Sequence, residues 1–412
     1  MTILPHVLLG GALGLCLYAY LGYPAILKLL GLVRRSRPPV RQTDAWPFIS
    51  ITIPAHNEAA TIAATLERIL ELDYPAGRRQ ILVVSDAATD GTDDIVRTFA
   101  ARGVELLRLP ERRGKTAAEN AARPYLTGEI IVNTDASVRV HPAAVTHLVA
   151  AFADPSVGVA SGRDVSVANV DERANPGERA YVGYEMWVRD LETRVFGIVG
   201  ASGCLYAIRR ALHLRFMPEA LSRDFGAALV AREHGYRAVS VREATCYVPR
   251  STSLRREYER KVRTMARGLG TLWYKRSLLN PVRHGLFAWM LFSHKVCRWL
   301  VPWTLVPLAA AFAWLAPGHW WAGAALALGS AAALAAALAW LRPDATPLPR
   351  AIGLPAYTVS GVVAALHAWV KALGGAGTAV WEPTRRTSVL PAPAPAQHDR
   401  GREQHDPQVF QR

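Results

Sequence analysis

The chain of 412 residues is 51% hydrophobic and carries 48 Lys plus Arg against 33 Asp plus Glu, a net charge of +15. Its length accommodates one domain of about 250 residues and additional elements, and its positive charge suits contact with anionic lipid. No sequence signature of a nucleic-acid-binding protein is present, so we expect no nucleic-acid partner, and the spacing of the four cysteines gives neither a zinc site nor a disulfide framework.

An apolar segment from Ile3 to Val33 begins the chain. It is longer than the core of a signal peptide and has no clear small-residue cleavage site, so we interpret residues 1–33 as an uncleaved transmembrane anchor. A Pro-rich linker covers residues 34–47. It begins with a cluster of arginines, and the positive-inside rule therefore places the following domain in the cytoplasm. These arginines are Arg34, Arg35, Arg37 and Arg41.

Residues 48–250 alternate short β-branched runs with helical patterns, which predicts an α/β domain with parallel strands. The predicted strands are Ile49–Pro54, Ile81–Ser85, Val104–Leu109, Ile130–Thr134, Val157–Val167, Leu205–Ile208 and Ala238–Val241. The predicted helices are Ala60–Leu72, Asp93–Ala101, Ala117–Leu126, Glu178–Val195 and Asp224–Gly235, with Thr92 or Asp93 as the N-cap of the second.

Three of these strands stop at polar or acidic residues. His56-Asn57-Glu58 follows the first strand, Asp86 ends the second and Asp135 ends the fourth. Ligands of parallel sheets bind beyond the carboxyl ends of the strands. Two carboxylates held ~4 Å apart repel by roughly 1 kcal/mol in water or ~4 kcal/mol at an effective dielectric of 20, and a divalent cation would remove this repulsion. The pattern therefore predicts a nucleotide and metal site.

The C-terminal part of the chain has a membrane pattern. Residues 251–285 include a basic amphipathic helix, Leu254–Leu272, which suits a membrane surface. Residues 286–373 contain about three segments near the ~20 apolar residues needed to span a bilayer. The tail, residues 374–412, is rich in Pro, Gln and charge, and we expect disorder. The three segments are Phe287–Leu315, His319–Leu341 and Ile352–Leu373.

The first of these segments contains His294, Lys295 and Arg298, which are costly in a bilayer. An alternative therefore stays open, in which Leu286–Arg298 lies along the interface and only Trp299–Ala316 spans. In either case, with the anchor, we expect a multi-pass protein of the cell's inner (plasma) membrane that contacts membrane lipids.

Six short motifs occur in a fixed order along the α/β domain: PAHNE at 54–58, SDAATDGT at 85–92, RRGK at 112–115, NTDAS at 133–137, GASG at 200–203 and SRDF at 222–225. In this order they resemble the family-2 glycosyltransferases, and among them the membrane-embedded branch that contains hyaluronan, chitin, cellulose and poly-N-acetylglucosamine synthases. The resemblance covers roughly residues 48–270. It implies an A-type glycosyltransferase (nucleotide-diphospho-sugar transferase) domain with a mixed, mostly parallel sheet.

The resemblance assigns donor-binding roles to four residues near the strand ends. Asp86 matches the acid that contacts the nucleotide base, and a carboxylate there can accept a hydrogen bond from the imide N–H of uracil, which favours a uridine donor. Alternatively, Asp86 only caps the next turn. Asn57 and Glu58 are expected to line the nucleotide pocket. Lys115 is expected to approach phosphate or base, unless it is a surface lysine.

The family's Asp-x-Asp motif appears here as Asp135-Ala136-Ser137. Hard cations such as Mg²⁺ bind through one or two carboxylates plus substrate phosphates, so Asp135 with a diphosphate can suffice, and Ser137 can donate an oxygen. We therefore expect Mg²⁺ or Mn²⁺ as the cofactor. The second carboxylate of the motif is missing, which leaves the identity and affinity of the metal open.

Asp224 matches the aspartate that removes a proton from the acceptor hydroxyl in this family. The residue before it is Arg223, where the family has Glu, and this arginine could raise phosphate or acceptor affinity and keep Asp224 ionised. Ser202 and Gly203 resemble the acceptor-side segment, where small residues leave room for a sugar ring. As an alternative, Ser222 or Asp224 only caps the following helix.

The processive members carry a Gln-x-x-Arg-Trp motif before their membrane helices. The corresponding stretch here is Arg260-Lys261-Val262-Arg263-Thr264, so Arg263 is expected to bind the diphosphate, a role that its planar guanidinium suits. Gln and Trp are missing, and a stacking platform for a growing sugar chain is not assured. Arg263 could instead belong to a solvated or lipid-facing basic stripe.

The sequence therefore predicts a membrane-bound inverting glycosyltransferase. It would move a sugar from a nucleotide-diphospho-sugar, a UDP-sugar in our interpretation, to a polysaccharide or a lipid-linked saccharide. A catalytically silent nucleotide-sugar binder or assembly subunit is the alternative, because three family motifs are altered. A dinucleotide-dependent redox enzyme is disfavoured, since no Gly-x-Gly-x-x-Gly follows the first strand.

Overall fold

The computed structural model describes residues 3–33, 46–167, 176–249, 253–342 and 350–375. Its strands are β1 Ile49–Ala55, β2 Arg79–Ser85, β3 Val104–Arg108, β4 Ile130–Thr134, β5 Arg139–Val140, β6 Val157–Val167, β7 Leu205–Arg209 and β8 Arg237–Pro249. They form one sheet in the order β3-β2-β1-β4-β7-β6-β8-β5. Among these strands four pairings are parallel and three are antiparallel, so the sheet is mixed and mostly parallel, as expected.

The α-helices of the described residues are α1 Ile3–Leu17, α2 Tyr23–Val33, α3 Ile62–Leu70, α4 Thr92–Thr98, α5 Lys115–Ala122, α6 Ala144–Ala150, α7 Pro176–Val195, α8 Arg210–His213, α9 Arg223–Glu233, α10 Leu254–Tyr274, α11 Pro281–His284, α12 Leu286–Leu291, α13 Arg298–Leu300, α14 Leu305–Leu315, α15 Trp320–Trp340 and α16 Arg350–Leu373. Single π-helical turns join α1 to α2 and α12 to α13.

Helices cover both faces of the sheet. Helices α3, α4 and α6 pack on one face through Ile62, Val96 and Leu148. Helices α5, α8 and α9 cover the other face, where Ala118 and Leu212 are buried against the strands. Because β1 is buried along its whole length, the sheet edge at its carboxyl end is held by a rigid two-sided core.

Three of the differences between the predicted and observed elements have clear physical reasons. The last strand runs to Pro249 rather than Val241, because it pairs with β6 up to Val167. Helix α5 ends at Ala122 rather than Leu126, since Pro124 follows and a tighter turn takes over. The N-cap of α4 is Gly91, with φ of 89°, rather than Thr92 or Asp93. Thr92 instead accepts the Glu58 N–H through its hydroxyl oxygen.

Four helical segments of the described chain are long and apolar enough to cross a membrane. They are Ile3–Val33, Leu286–Leu315, Trp320–Trp340 and Ile352–Leu373, close to the predicted bounds. The arginines Arg34, Arg35, Arg37 and Arg41, most of the linker and the tail after residue 375 lie outside the described residues.

The charged residues of the Leu286–Leu315 segment are paired inside the protein. The two ring nitrogens of His294 lie 2.6 Å from Glu192 and 3.1 Å from Glu185, both on α7. Arg298 donates to Glu185 at 2.8 Å, and the Tyr23 hydroxyl of α2 donates to Glu192 at 2.5 Å. These side chains, the α7 charge cluster, therefore join two candidate spans to the α/β domain, and the charges that motivated the interfacial alternative have protein partners.

Gly128 is required where the turn before β4 crosses β1. A methyl group at this position would lie in hard contact with the backbone nitrogen of Ser50 and the carbonyl carbon of Ile49. We expect Gly128→Ala to destabilise the chain by about 1–3 kcal/mol, because the backbones must move apart. Thermal unfolding of the detergent-solubilised chain measures the loss. Gly77→Ala is the matched control, since nothing lies within 4 Å of that position; equal stability of the two variants would contradict the prediction.

Candidate active site

The sheet register brings the polar strand ends to one edge. Ala55 of β1 is level with Ser85 of β2, so the residues that follow both strands leave the sheet side by side. On the other side of β1, Thr52 pairs with Asn133 of β4. Strand β7 runs antiparallel to β4, with Leu205 opposite Thr134. The loop before β7 therefore lies beside the residues that follow β4.

Asp86 is buried and holds the loop that precedes α5. Its two carboxylate oxygens accept the backbone N–H groups of Arg113 and Gly114, each at 2.7 Å. Gly114 has φ of 94°, a conformation that favours glycine, and it turns the chain into Lys115. Asp86 thus positions the start of α5, and its contact with a nucleotide base stays a prediction.

Lys115 links two strand ends across the site. Its Nζ lies 2.5 Å from Oδ1 of Asp135 and 3.0 Å from the carbonyl oxygen of Gly203. Burial alone would lower the pKa of Lys115, but the negative charges of Asp135, Glu119 and Asp224 raise it above its ordinary value. Lys115 is therefore a half-buried cation paired with Asp135, and the surface alternative is wrong.

Asp224 meets the loop before β7 at Gly203. A methyl group on Gly203 would lie in hard contact with Oδ2 of Asp224, so only glycine leaves room for the carboxylate. Ser222 stands at the N-cap position of α9, but its hydroxyl donates to Oδ1 of Asp224 instead of capping the helix. Asp224 is half-buried in the first turn of α9. Lys115 thus follows the loop held by Asp86, binds Asp135, and reaches Asp224 through Gly203.

Ser202 connects this loop to a carboxylate that the motifs did not indicate. Its side chain is buried, and its hydroxyl lies 2.7 and 2.8 Å from the two carboxylate oxygens of Asp164 on β6. The same hydroxyl oxygen accepts the Cys204 N–H at 3.1 Å. Ser202 therefore fixes the conformation of the loop around Gly203. Its direct contact with an acceptor stays a prediction.

Asn57 and Glu58 lie at the end of β1, next to Asp86. Asn57 is exposed, has φ of 52°, and accepts the Thr89 N–H at 2.8 Å. Glu58 is buried and accepts the Thr61 hydroxyl at 2.7 Å. Both residues shape the turn at this edge, and their contact with nucleotide stays a prediction.

The oxygen atoms of Asp135 and Ser137 fit a hard cation whose other ligands come from a diphosphate. Both residues are buried at the end of β4, and one oxygen of Asp135 is held by Lys115. In the described part of the chain no group of three or more His, Cys, Asp or Glu side chains could hold a metal by itself. The donor set therefore suits Mg²⁺ or Mn²⁺ bound jointly with substrate phosphates.

Arg223 and Arg267 differ from expectation in what they contact. Arg223 is buried behind the site, where it donates to Asn120 at 2.6 Å and to the carbonyl oxygen of His213. Its proposed contact with phosphate or acceptor does not fit this orientation. Arg263 is half-buried on α10. One turn later, Arg267 donates to the carbonyl oxygen of Leu221 at 2.6 Å.

Arg267 was missed because the family motif pointed to the arginine four residues earlier. It also donates to the Thr116 hydroxyl at 2.8 Å and to the carbonyl oxygen of Glu219 at 3.0 Å. Burial lowers the pKa of Arg267, whereas the charges of Asp224 and Glu119 act in the opposite direction. The helical repeat of i, i+4 was the available signal that this position shares a face with Arg263.

Comparison with known proteins agrees with this geometry. Residues 50–213 match the family model described as glycosyl transferase family 2. The chain contains a glycosyltransferase family 2 domain. Among solved structures, the mannosyltransferase PcManGT from Pyrobaculum calidifontis, in complex with GDP-Man and Mn²⁺, superposes with a TM-score of 0.69 and 26% sequence identity, covering 90% of this chain and 98% of that chain. The predicted A-type glycosyltransferase fold is confirmed.

Two curated relatives of the family 2 domain are similar over a shorter range. The beta-monoglucosyldiacylglycerol synthase of Nostoc sp. is 30% identical over 200 residues, 46% of this chain and 42% of the relative. An N-acetylglucosaminyltransferase of Rhizobium sp. is 26% identical over 179 residues, 42% of this chain and 39% of the relative. The chain thus spans about two fifths of the length of these relatives.

The close approach of Gly203 to Asp224 gives a test of the site. We expect Gly203→Ala to reduce sugar transfer about a hundredfold, because the added methyl displaces the Asp224 carboxylate and small displacements of reacting groups cost about this much. Folding should change little, since only the end of one side chain has to move. Steady-state transfer assays beside Gly77→Ala measure the effect. Transfer at the wild-type rate would show that the position of Asp224 is unimportant.

Proposed function

We propose that the chain is a membrane-bound inverting glycosyltransferase that moves a sugar from a UDP-sugar to a polysaccharide or a lipid-linked saccharide. The observation that carries this proposal is the convergence of Asp224, Lys115 and Asp135 around Gly203. It supplies a base, a fixed cation and an oxygen ligand at one sheet edge. A silent nucleotide-sugar binder would not need the close approach of the loop to Asp224.

Asp224 is proposed as the general base. As the acceptor hydroxyl attacks the anomeric carbon, its proton passes to a carboxylate oxygen of Asp224, and the bond from the anomeric carbon to the nucleoside diphosphate breaks. Attack from the side opposite the leaving group inverts the configuration. The hydrogen bond from Ser222 orients this carboxylate. Gly203, which has no side chain, leaves room for it.

Lys115 is proposed to stabilise the negative charge that develops on the leaving diphosphate. Its half-buried ammonium group acts strongly there, because it is already oriented and partly shielded from water. Arg263 was expected to share this role, and Arg267 is the residue of α10 that contacts Thr116 next to Lys115. We therefore propose Arg267 as a further positive charge near the diphosphate.

A divalent cation would be held by Asp135 and Ser137. When bound, it would neutralise the diphosphate as a Lewis acid. The GDP-Man and Mn²⁺ of the PcManGT complex support a metal and a nucleotide sugar for this chain as well. Asp86, Asn57 and Glu58 would then border the base and ribose. The choice of uridine rests on the carboxylate of Asp86, whose remaining acceptor positions can take an imide N–H.

The four apolar helices support a multi-pass protein of the inner membrane with the family 2 domain on the cytoplasmic side. Helix α7 of this domain contacts two of the candidate spans, and we propose that the acceptor approaches Asp224 along this helix. This arrangement, with the order of the motifs, supports the membrane-embedded polysaccharide-synthase branch. The domain bounds proposed above, with residues 48–250 as the catalytic unit, follow the extent of the sheet.

Removal of the base tests the proposal. We expect Asp224→Asn to lower transfer of radiolabelled sugar by about 10²–10⁴-fold, the usual contribution of a general base, while UDP binding is retained. The chain is used whole, in lipid nanodiscs, with a panel of UDP- and GDP-sugars and with Mg²⁺ and Mn²⁺ in turn. Asp94→Asn is the control, because that carboxylate is exposed on α4.

Two results would contradict the assignment. Unchanged transfer by Asp224→Asn would remove Asp224 as the base. A wild-type chain that binds UDP and transfers no sugar under any donor and metal would favour the silent binder. Transfer only from GDP-sugars would keep the enzyme class and overturn the uridine assignment.

A further inference from the structure

A cavity of about 320 Å³ lies between β6, β8 and α7, outside the donor-binding edge. Its size is at the lower end of small-ligand pockets. Three guanidinium groups and two carboxylates line it together with an indole ring. These side chains are Arg163, Asp164, Trp187, Asp190, Arg194 and Arg242, and we call the cavity the α7 pocket.

The α7 pocket adjoins the proposed base through one residue. Asp164 forms part of the pocket wall, and its carboxylate oxygens accept the Ser202 hydroxyl. Gly203, the next residue, touches Asp224. A molecule in the pocket that extends past Ser202 therefore reaches the carboxylate that would deprotonate an acceptor.

The chemistry of the wall favours a sugar ring over a simple anion. Guanidinium groups donate hydrogen bonds and carboxylates accept them, and sugar hydroxyls need both kinds of partner. A site for a phosphate would gain nothing from two carboxylates. The carboxylates of Asp164 and Asp190 stand in the same wall as the three arginines, so much of the positive charge has a negative partner nearby.

Trp187 provides a flat apolar surface for the same ligand. Its side chain is 46% exposed, and Met186 and Leu191 of the same helix also line the pocket. An indole can stack on the C–H face of a sugar ring while polar neighbours hold its hydroxyl groups. The position of α10 at which the processive enzymes carry Trp is Thr264 here, so that position offers no ring.

We propose that the α7 pocket binds a saccharide unit of the acceptor, with Trp187 as its stacking platform and Asp190 and the arginines as hydrogen-bond partners. The inference rests on the proposed function and names the acceptor as a glycan, not a bare lipid. Because α7 also contacts the segment that leads into α2, where the Tyr184 hydroxyl donates to the Tyr20 carbonyl oxygen at 2.7 Å, the pocket lies beside a candidate membrane span. A glycan held here can be attached to a lipid.

Saturation-transfer NMR tests the proposal. The full chain is held in lipid nanodiscs, so that no maltoside detergent, which itself carries sugar rings, is present. The probes are methyl β-D-glucopyranoside, methyl α-D-mannopyranoside and N,N′-diacetylchitobiose, with sn-glycerol 3-phosphate for an anionic head group and UDP for the donor site. We expect at least one saccharide to bind, Trp187→Ala to weaken it about tenfold, and Trp187→Phe to weaken it less because a stacking face remains.

The control is Trp273→Ala, which removes an exposed tryptophan outside the pocket and should leave saccharide binding within about twofold. The proposal is overturned if no saccharide binds, if Trp187→Ala changes binding no more than the control does, or if only glycerol 3-phosphate responds. UDP binding should be equal in all variants. Absence of UDP binding to the wild-type chain would instead contradict the proposed function. The two failures can therefore be told apart.

Discussion

The site depends on the contacts of the half-buried Lys115 ammonium group. Three carboxylates, those of Asp135, Glu119 and Asp224, are close enough to raise its pKa. Acids crowded together in a poorly solvated place repel one another, and removing the cation among them would leave buried charge without compensation. The hydrogen bonds of Lys115 to Asp135 and to the Gly203 carbonyl also fix the distance between the end of β4 and the loop before β7.

The buried Arg223 completes the charge balance behind the site. Arg223 lies 3.9 Å from Glu119 and is held by Asn120. Burial raises the pKa of Glu119, although Lys115 and Arg223 both act to lower it. Arg223 thus stands where the related motif has Glu, and the acid that faces it in this chain is Glu119 of α5. The altered motif therefore forms a different charge pair, Arg223 with Glu119, and the carboxylate of Asp224 stays beside Gly203.

The sequence predicted those features that depend on neighbours in the chain. Strands such as Ile130–Thr134 were recognised because apolar β-branched runs are a local pattern. The candidate spans were recognised because the length of an apolar segment is also a local property. The extension of β8 was missed, since Arg242 and Glu243 interrupt its apolar pattern and the strand beyond them is held by pairing with β6 and β5. Asp164 and Arg267 were missed for the same reason: each reaches the site through a contact more than 30 residues away in sequence.

The α7 charge cluster makes the membrane region part of the same structural unit as the site. Burial would raise the pKa of Glu185, but His294, Arg298 and Lys295 hold it well below its usual range. Lys295 also lies 5.5 Å from the centre of the Phe225 ring, and Phe225 follows the proposed base directly. Without the Leu286–Leu315 segment, Glu185 and Glu192 would keep their burial on α7 only at the cost of uncompensated charge. The position of Asp224 is therefore supported by the Leu286–Leu315 segment as well as by the sheet, and in the proposed function an acceptor along α7 would meet a carboxylate whose geometry is already set.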